Sequence, residues 1–270
     1  MRIGICSPFE FGTGEADSIR RFEAIAAAGF DYLETQLAPL VELSEDEFRR
    51  FTRRLDMIRL PCRASLLLFP RNTVLVGKEV DMAFLREFTG RASERAASLG
   101  CELIVFGHGK NRSYSDPVSK EEALSDMTKI LTMASEVTGM YGIRIAIEPL
   151  NRGETNIFNT YAEAIDIVRK VGDPYLGALC DWYHARLENQ PPKEMKIMPE
   201  KLFHLHIAYP EGRTVPSAKD DMAMYAPFFN VIREMGYNNK ISIEAKMDKN
   251  ADFAAVVREG YTTLKRLLTP

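Results

Sequence analysis

Short apolar runs alternate along the chain with longer segments in which apolar residues recur every three or four positions. The short runs are rich in β-branched residues and predict buried strands, whereas the longer segments predict amphipathic helices. We predict eight strands, over residues 2–6, 32–36, 64–69, 103–107, 143–148, 175–181, 201–208 and 240–244. A helical pattern follows each strand, although after the sixth strand only the short segment 191–198 is a candidate.

Polar residues and glycines mark the ends of several predicted helices. A serine or threonine stands three positions before a glutamate, which is the spacing of a capping box, at Ser44 and Glu47, Ser119 and Glu122, and Thr160 and Glu163. Glycine is the usual residue just after a helix, and it occupies this place at positions 29, 100 and 236. We therefore predict helices over residues 15–28, 79–99 and 256–268 and helix starts near residues 45, 120 and 161.

Eight strand and helix units with short connections are typical of a parallel sheet that is covered on both faces. The length of 270 residues suits one (β/α)8 TIM barrel, which needs about 250. We predict an α/β fold, with a single TIM-barrel domain over residues 1–270. An open doubly wound sheet is the alternative, but it would carry a glycine-rich phosphate loop after the first strand, and residues 6–12 do not form one.

Four of the predicted strands end in a side chain that can bind a metal ion, namely Glu148, Asp181, His206 and Glu244. The strand ends of a parallel barrel face one shared mouth, so we expect these side chains to converge. Three carboxylates and a neutral imidazole would be costly to bury together without a cation. Carboxylate oxygens with one imidazole suit a single divalent ion such as manganese, magnesium or cobalt.

Such an ion would bind two oxygens of a substrate, polarise a carbonyl and stabilise an enediolate formed by removal of the neighbouring proton. Glu148 and Glu244 end the fifth and eighth strands and could face opposite sides of that substrate. One would then take a proton and the other would return one, as an acid/base pair. The strand-end residues therefore indicate proton transfer beside a carbonyl.

Four segments resemble the signature of the xylose isomerase-like TIM barrels, specifically the branch of the D-tagatose and D-psicose 3-epimerases. They are Glu148-Pro-Leu-Asn-Arg-Gly-Glu154, Asp181-Trp-Tyr-His184, His206 with Arg213 downstream, and Ile-Ser-Ile-Glu244. The resemblance implies that Glu148, Asp181, His206 and Glu244 bind a divalent metal, usually manganese, and that the two glutamates are the acid/base pair. It also implies that Glu154, His184 and Arg213 contact the oxygens of a sugar.

Several further residues have two interpretations. His108 is either a ligand of a second metal or a residue without a catalytic role, and Glu34 either orients a substrate or pairs with an arginine at the rim. Trp182 either stacks on a sugar ring or packs beneath the rim. His204 precedes His206 by two residues and lies one layer deeper on the same side of its strand, as a core histidine or as a partner of the site.

Charge and composition exclude several classes of function. With 35 basic and 38 acidic side chains the net charge is −3, which disfavours nucleic acid as a partner. No apolar run reaches the roughly 18 residues of a membrane span, and the N-terminus leads directly into a strand. The four cysteines lack the spacing of a zinc or redox motif and are expected to be buried thiols in a cytoplasmic protein.

We therefore predict a metal-dependent isomerase or epimerase of ketoses or related polyols, with a small sugar or polyol as its partner. A lyase is the alternative, either an inosose-type dehydratase or a C-glycoside-cleaving enzyme, because its first step is the same. An endonuclease IV-like phosphodiesterase is disfavoured. Its chemistry resembles that of a three-zinc site with many more histidines than the four of this chain. Self-association into a homo-oligomer stays open.

Overall fold

The computed structural model describes residues 1–10, 12–248 and 250–269. Its eight strands are parallel and form a closed barrel in sequence order, with the last strand paired to the first. This confirms the predicted TIM barrel. The strands are β1 (Arg2–Cys6), β2 (Tyr32–Gln36), β3 (Cys62–Leu66), β4 (Leu103–Phe106), β5 (Arg144–Ile147), β6 (Leu176–Asp181), β7 (Leu202–Ile207) and β8 (Lys240–Ile243).

Helices connect the strands and cover the outside of the barrel. They are α1 (Glu15–Ala28), α2 (Ala38–Val41), α3 (Glu45–Ile58), α4 (Met82–Ser98), α5 (Lys120–Gly139), α6 (Tyr161–Val171), α7 (Trp182–Leu187), α8 (Ala226–Glu234) and α9 (Phe253–Leu268). Apolar residues between the strands and these helices form the larger hydrophobic core. Within the described residues, none of the helices is long and apolar enough to cross a membrane.

A second, smaller apolar cluster fills the inside of the barrel. Its members are Tyr32, Ala64, Leu103, Val105, Ala146, Leu179 and Phe203, and we call them the inner layer. The Tyr32 ring fits because β1 has a glycine opposite it: a Cβ at Gly4 would lie 2.2 Å from the ring. The barrel is therefore a packed core, and its polar residues lie above and below this layer.

The helix starts follow the predicted caps. Ser44 and Ser119 both form complete capping boxes at the first residues of α3 and α5. Thr160 caps α6 by accepting from the Glu163 N–H, whereas the Glu163 carboxylate accepts from the Asn159 N–H instead of closing the box. Local polar spacing therefore places these helices correctly.

The third strand and the helix after the sixth strand differ from the prediction, whereas the other seven strands agree within one residue at each end. Two helix starts were also misplaced by three residues: α4 begins at Met82 rather than at 79, and α9 begins at Phe253 rather than at 256. The third strand is Cys62–Leu66 rather than 64–69, because Leu67 has a φ of 56° and turns the chain out of the sheet. An apolar run does not separate the strand from the buried loop that follows it. After β6, α7 begins at once, and the segment 191–198 that was predicted to be helical contains only a 3₁₀ turn, Pro192–Lys196. Neither α2 nor α7 was predicted.

Candidate active site

Four strand ends deliver the predicted metal-binding side chains to one place. Glu148 directly follows β5, Asp181 ends β6, His206 lies in β7 and Glu244 directly follows β8. One donor atom of each side chain lies within 4.8 Å of those of the other three. Glu148, Asp181 and His206 are buried, and Glu244 is partly buried. The convergence expected from the strand ends is therefore present, and we call these four residues the acidic cluster.

His206 connects the acidic cluster to a deeper layer of polar residues. Its Nδ1 lies 3.1 Å from Glu148 Oε1 and 3.3 Å from Glu244 Oε2. Its Nε2 lies 3.0 Å from Glu34 Oε1. If the Nε2–H donates to Glu34, Nδ1 is left with a free lone pair towards the cluster, which is the arrangement found in metal-binding histidines.

Glu34 lies beneath the acidic cluster and contacts two histidines and a serine. It is fully buried, and its Oε2 accepts from Ser242 Oγ at 2.5 Å and lies 2.8 Å from His204 Nε2. Burial opposes its ionisation, but the charges of His206 and His204 lower the pKa of the Glu34 carboxyl well below its usual value. Glu34 therefore contacts His206 from below, and no arginine pairs with it among the described residues.

Arg213 and Glu154 form one wall of the site. The Arg213 guanidinium donates to Glu244 Oε2 at 2.6 Å, and it lies 3.6 Å from Asp181 Oδ2 and 3.7 Å from Glu154 Oε1. Its other face covers the Tyr183 ring, with Cζ 4.8 Å from the ring centre. Two predicted substrate-binding residues therefore lie beside the acidic cluster and are held there by ion pairs.

His184, the third predicted substrate-binding residue, presents a defined tautomer. Its Nδ1 accepts from the Asn151 backbone N–H at 3.1 Å, so the proton of the neutral ring lies on Nε2. Burial, and then the charge of Arg213, lower the pKa of His184 to about 3 and keep the ring neutral. Both His184 Nε2 and Asp181 Oδ2 are buried without a hydrogen-bond partner in the described structure, at a separation of 3.6 Å.

The carboxylates of the acidic cluster are mutually unfavourable. Burial, followed by the charge of Glu244, raises the pKa of Asp181 to about 8 and also raises the pKa of Glu148. For Glu244, burial is outweighed by the hydrogen bond with His206 and by the positive charges of His206 and Arg213, so its pKa is lowered. Crowded carboxylates with an orphaned oxygen are the environment that a divalent cation stabilises.

Arg112 belongs to the site although no sequence pattern predicted it. It is fully buried, and its guanidinium donates to the backbone carbonyls of Glu148 at 2.7 Å and Phe106 at 3.2 Å. Its Cζ lies 5.4 Å from the centre of the Phe158 ring. Arg112 stands in a short polar segment after β4 that looks like a solvent-exposed loop in sequence, and only its contact with β5 identifies it.

The remaining two candidates lie outside the acidic cluster. His108 is buried beside Phe69 and Phe106, its Nε2 accepts from the Phe69 N–H at 3.2 Å, and burial lowers its pKa to about 3. It joins no group of metal-competent side chains in the described residues. Trp182 is buried and stacks on Phe228 with ring centres 5.1 Å apart, so its ring packs beneath the rim.

Comparisons with known proteins agree with this architecture. L-ribulose 3-epimerase from Methylomonas sp. (strain DH-1) is 27% identical over 229 residues, which cover 82% of this chain and 75% of that protein. Inosose isomerase from Halalkalibacterium halodurans is 24% identical, over 84% of this chain and 82% of that protein. D-allulose 3-epimerase from Methylomonas sp., solved in complex with D-allulose, superposes with a TM-score of 0.84 at 20% identity, over 98% of this chain and 96% of that one.

The similarity to the solved structure is evidence for the fold. A family model gives the stronger result: the model described as "Xylose isomerase-like TIM barrel" matches residues 22–267, which is most of the chain. The match includes all four residues of the acidic cluster as well as Glu154, His184 and Arg213. The chain therefore belongs to the xylose isomerase-like TIM barrel family.

Proposed function

We propose that this protein is a divalent-metal-dependent isomerase or epimerase of a ketose or a related polyol. The observation that carries the proposal is the acidic cluster, in which the buried Asp181 Oδ2 accepts no hydrogen bond among the described residues and lies beside the proton-bearing Nε2 of His184. The names of the similar proteins support it, since they include an L-ribulose 3-epimerase and an inosose isomerase.

Glu148, Asp181, His206 and Glu244 would hold the metal ion. The donor set fits, because three carboxylates and one imidazole suit manganese, which we favour, with magnesium or cobalt as alternatives. When bound, the ion would supply Lewis-acid chemistry, polarising the substrate carbonyl and stabilising the enediolate. The bond from His206 to Glu34 would keep Nδ1 directed at the ion.

Glu148 and Glu244 would move the protons. One glutamate would remove the proton beside the carbonyl and the other would return one, on the opposite face for an epimerase or at the neighbouring carbon for an isomerase. Burial and the charge of Glu244 raise the pKa of Glu148 in the metal-free site, and a bound cation would lower it again. The hydrogen bond with His206 and the positive charges of His206 and Arg213 lower the pKa of Glu244 and favour its ionised form.

The substrate would be recognised through its hydroxyl groups. His184 offers an N–H donor, Arg213 offers guanidinium donors, and Glu154 offers a carboxylate acceptor. These groups lie beside the acidic cluster, where they would contact the hydroxyl oxygens of a sugar or polyol. A lyase shares the first proton transfer and is distinguished from an isomerase by its product.

The test is deuterium exchange in heavy water with Mn²⁺. Ketohexoses, ketopentoses, hydroxypyruvate and inosose are each incubated with the protein, and NMR follows deuterium beside the carbonyl. We expect metal-dependent incorporation that a chelator abolishes and that Glu148→Gln and Glu244→Gln reduce. Glu23→Gln is the matched control, because Glu23 is exposed on α1 far along the chain from these strand ends.

The labelled product identifies the reaction, as inversion of a carbon, migration of the carbonyl or loss of water. A product that has lost water would show that the protein is a lyase and not an isomerase. A sample that binds one metal ion and exchanges deuterium with none of these substrates would contradict sugar isomerisation altogether.

A further inference from the structure

The end of the barrel opposite the active site carries positive charge on its inside. Arg144 begins β5 and Lys240 begins β8, and each stands four residues before a glutamate of the acidic cluster. Side chains four residues apart in a strand point to the same face, so Arg144 and Lys240 occupy the inward side at the strand starts as Glu148 and Glu244 do at the strand ends. Both strands therefore run from a cation to a carboxylate.

A polar cavity of about 240 Å³ lies at these strand starts, and we call it the basal cavity. Arg144, Lys240, Glu102, Asn239 and Phe203 are among its lining residues. Phe203 also belongs to the inner layer, which separates this cavity from the active site. The space exceeds the roughly 30 Å³ that one water molecule occupies in the liquid, so a small polyatomic ion has room there.

The charges of the basal cavity do not balance. Glu102 is the shared carboxylate: Arg2 donates to both its oxygens, at 2.9 and 2.8 Å, and Lys240 Nζ donates to Oε2 at 2.7 Å. Arg144 has no carboxylate partner in the described part of the chain, and its Cζ lies 4.8 Å from the centre of the Phe203 ring. Arg2, Lys240 and, at 4.0 Å, Arg63 therefore share the Glu102 carboxylate, and Arg144 adds a further cation without one.

The excess of positive charge in the basal cavity contrasts with the protein as a whole, which has a net charge of −3. It is also partly enclosed: the Lys240 side chain is only 5% exposed, and its ammonium group has three donor hydrogens for one carboxylate contact. Lys240 is enclosed but already pairs with Glu102, whereas Arg144 is exposed and pairs with no carboxylate, so an anion would be attracted by the excess of positive charge and by the unused donors of these two side chains.

We propose that the basal cavity is a binding site for a small oxyanion, specifically free phosphate or the phosphate group of a small monoester. The Arg144 guanidinium provides a planar set of donors that matches phosphate oxygens, and Lys240 provides a second, buried charge. Both lie in a cavity that is closed on the inner side by the apolar layer. The site is independent of the proposed metal chemistry at the other end of the barrel.

Isothermal titration calorimetry of the full chain tests the site. Inorganic phosphate and glycerol 3-phosphate are titrated separately, at constant ionic strength and with chelator present so that no metal phosphate forms. We expect one of the two to bind with a stoichiometry of one, and Arg144→Gln to weaken that binding at least about tenfold. The ligand that binds more tightly identifies free phosphate or a monoester as the source.

Two variants with the same charge change are the controls. Arg54→Gln removes an exposed arginine of α3, and Arg213→Gln removes the arginine of the active site. Both are expected to bind phosphate as the wild type does. If Arg54→Gln weakens phosphate binding as much as Arg144→Gln does, the binding is general charge attraction. If Arg213→Gln abolishes phosphate binding, the anion lies in the active site. Either result, or no binding of either ligand to the wild type, overturns the proposal.

Discussion

The charges of individual residues around the acidic cluster balance only when the proposed ion is counted. Two buried or partly buried arginines face four carboxylates there: Arg112 and Arg213 against Glu34, Glu148, Asp181 and Glu244. A divalent cation would compensate the remaining two negative charges, with His204 and His206 neutral once it is bound. Glu154 is 42% exposed, so water screens its charge. Arg112 is therefore part of the electrostatic balance of the site, although it touches none of the four carboxylates directly.

Replacement of Arg112 is predicted to slow catalysis. Arg112 holds the backbone carbonyls at the ends of β4 and β5, so Arg112→Met removes both a buried charge and the support of Glu148. We expect kcat to fall about 10- to 100-fold with a small change in KM, because the side chain does not reach the substrate oxygens. Steady-state kinetics on the substrate found by deuterium exchange measure this.

Arg112→Lys distinguishes charge from geometry. It keeps the charge but cannot donate to two carbonyls in the same way, so we expect an intermediate loss. Arg54→Met is the matched control and should leave kcat unchanged, because Arg54 is exposed on α3. Normal kcat in a folded Arg112→Met protein would show that the buried guanidinium contributes nothing to the reaction.

Sequence predicted individual residues well where a strand end fixed their position. Glu148, Asp181, His206 and Glu244 each follow or end an apolar run, and the barrel geometry then requires that they meet. Glu34 and Arg112 were different, because their partners are far away in sequence: the contact from Glu34 to His206 spans 172 residues. No local pattern records such a pairing, so only the folded chain identifies it.

At the scale of elements, the ends of strands were predictable where polar residues stopped the apolar run. Between β3 and α4 no such stop exists, because Leu68 and Phe69 stay buried after the strand has ended. Hydrophobicity alone reports burial, and a buried loop is as apolar as a buried strand. Capping residues were more reliable guides because they act on the neighbouring backbone N–H groups.

Position 107, directly after β4, requires a residue without a side chain because Glu148 at the end of β5 occupies the space beside it. A Cβ at Gly107 would lie 2.1 Å from Glu148 Oε2, which is far inside contact distance. Glu148 cannot move away freely, because its other oxygen lies 3.1 Å from His206 Nδ1. The glycine that follows β4 therefore leaves the space into which β5 places its carboxylate.

Gly107→Ala is predicted to displace the Glu148 carboxylate and to reduce kcat/KM on the order of 100-fold. Activity and thermal unfolding should be measured on the same preparation. The matched control is Gly90→Ala within α4, where an added Cβ meets nothing within 4 Å. That change should raise the free energy of unfolding by about 0.5–1 kcal/mol and leave activity unchanged. Full activity of Gly107→Ala would contradict the role assigned to this space.

Two strands on different sides of the barrel, β5 and β8, start at a cation and are followed by a carboxylate of the acidic cluster. Fold stability should therefore depend on a cation at the acidic cluster. We expect Mn²⁺ at a hundredfold excess over its dissociation constant to add about 2.7 kcal/mol to the free energy of unfolding, which raises the melting temperature by about 5–10 °C. Differential scanning calorimetry with and without chelator measures this shift.

Asp181→Asn should separate metal binding from folding. Without metal, the raised pKa of about 8 means that the ionised Asp181 carboxylate disfavours the folded state as pH rises above the ordinary value for aspartate. Asparagine resembles the protonated form and can still accept the Tyr183 N–H that Asp181 Oδ1 accepts at 2.7 Å. We expect the metal-free variant to be at least as stable as the metal-free wild type at pH 8, yet to gain little stability from Mn²⁺.

Asp56→Asn serves as the control, since Asp56 is exposed on α3 and should respond to Mn²⁺ as the wild type does. A metal-dependent shift of the same size in Asp181→Asn would place the stabilising ion elsewhere in the molecule. A metal-free variant that is much less stable than the wild type would instead make Asp181 a structural residue. Only the combination of retained stability and a lost metal response fits a carboxylate that is held in an unfavourable position for the sake of a bound cation.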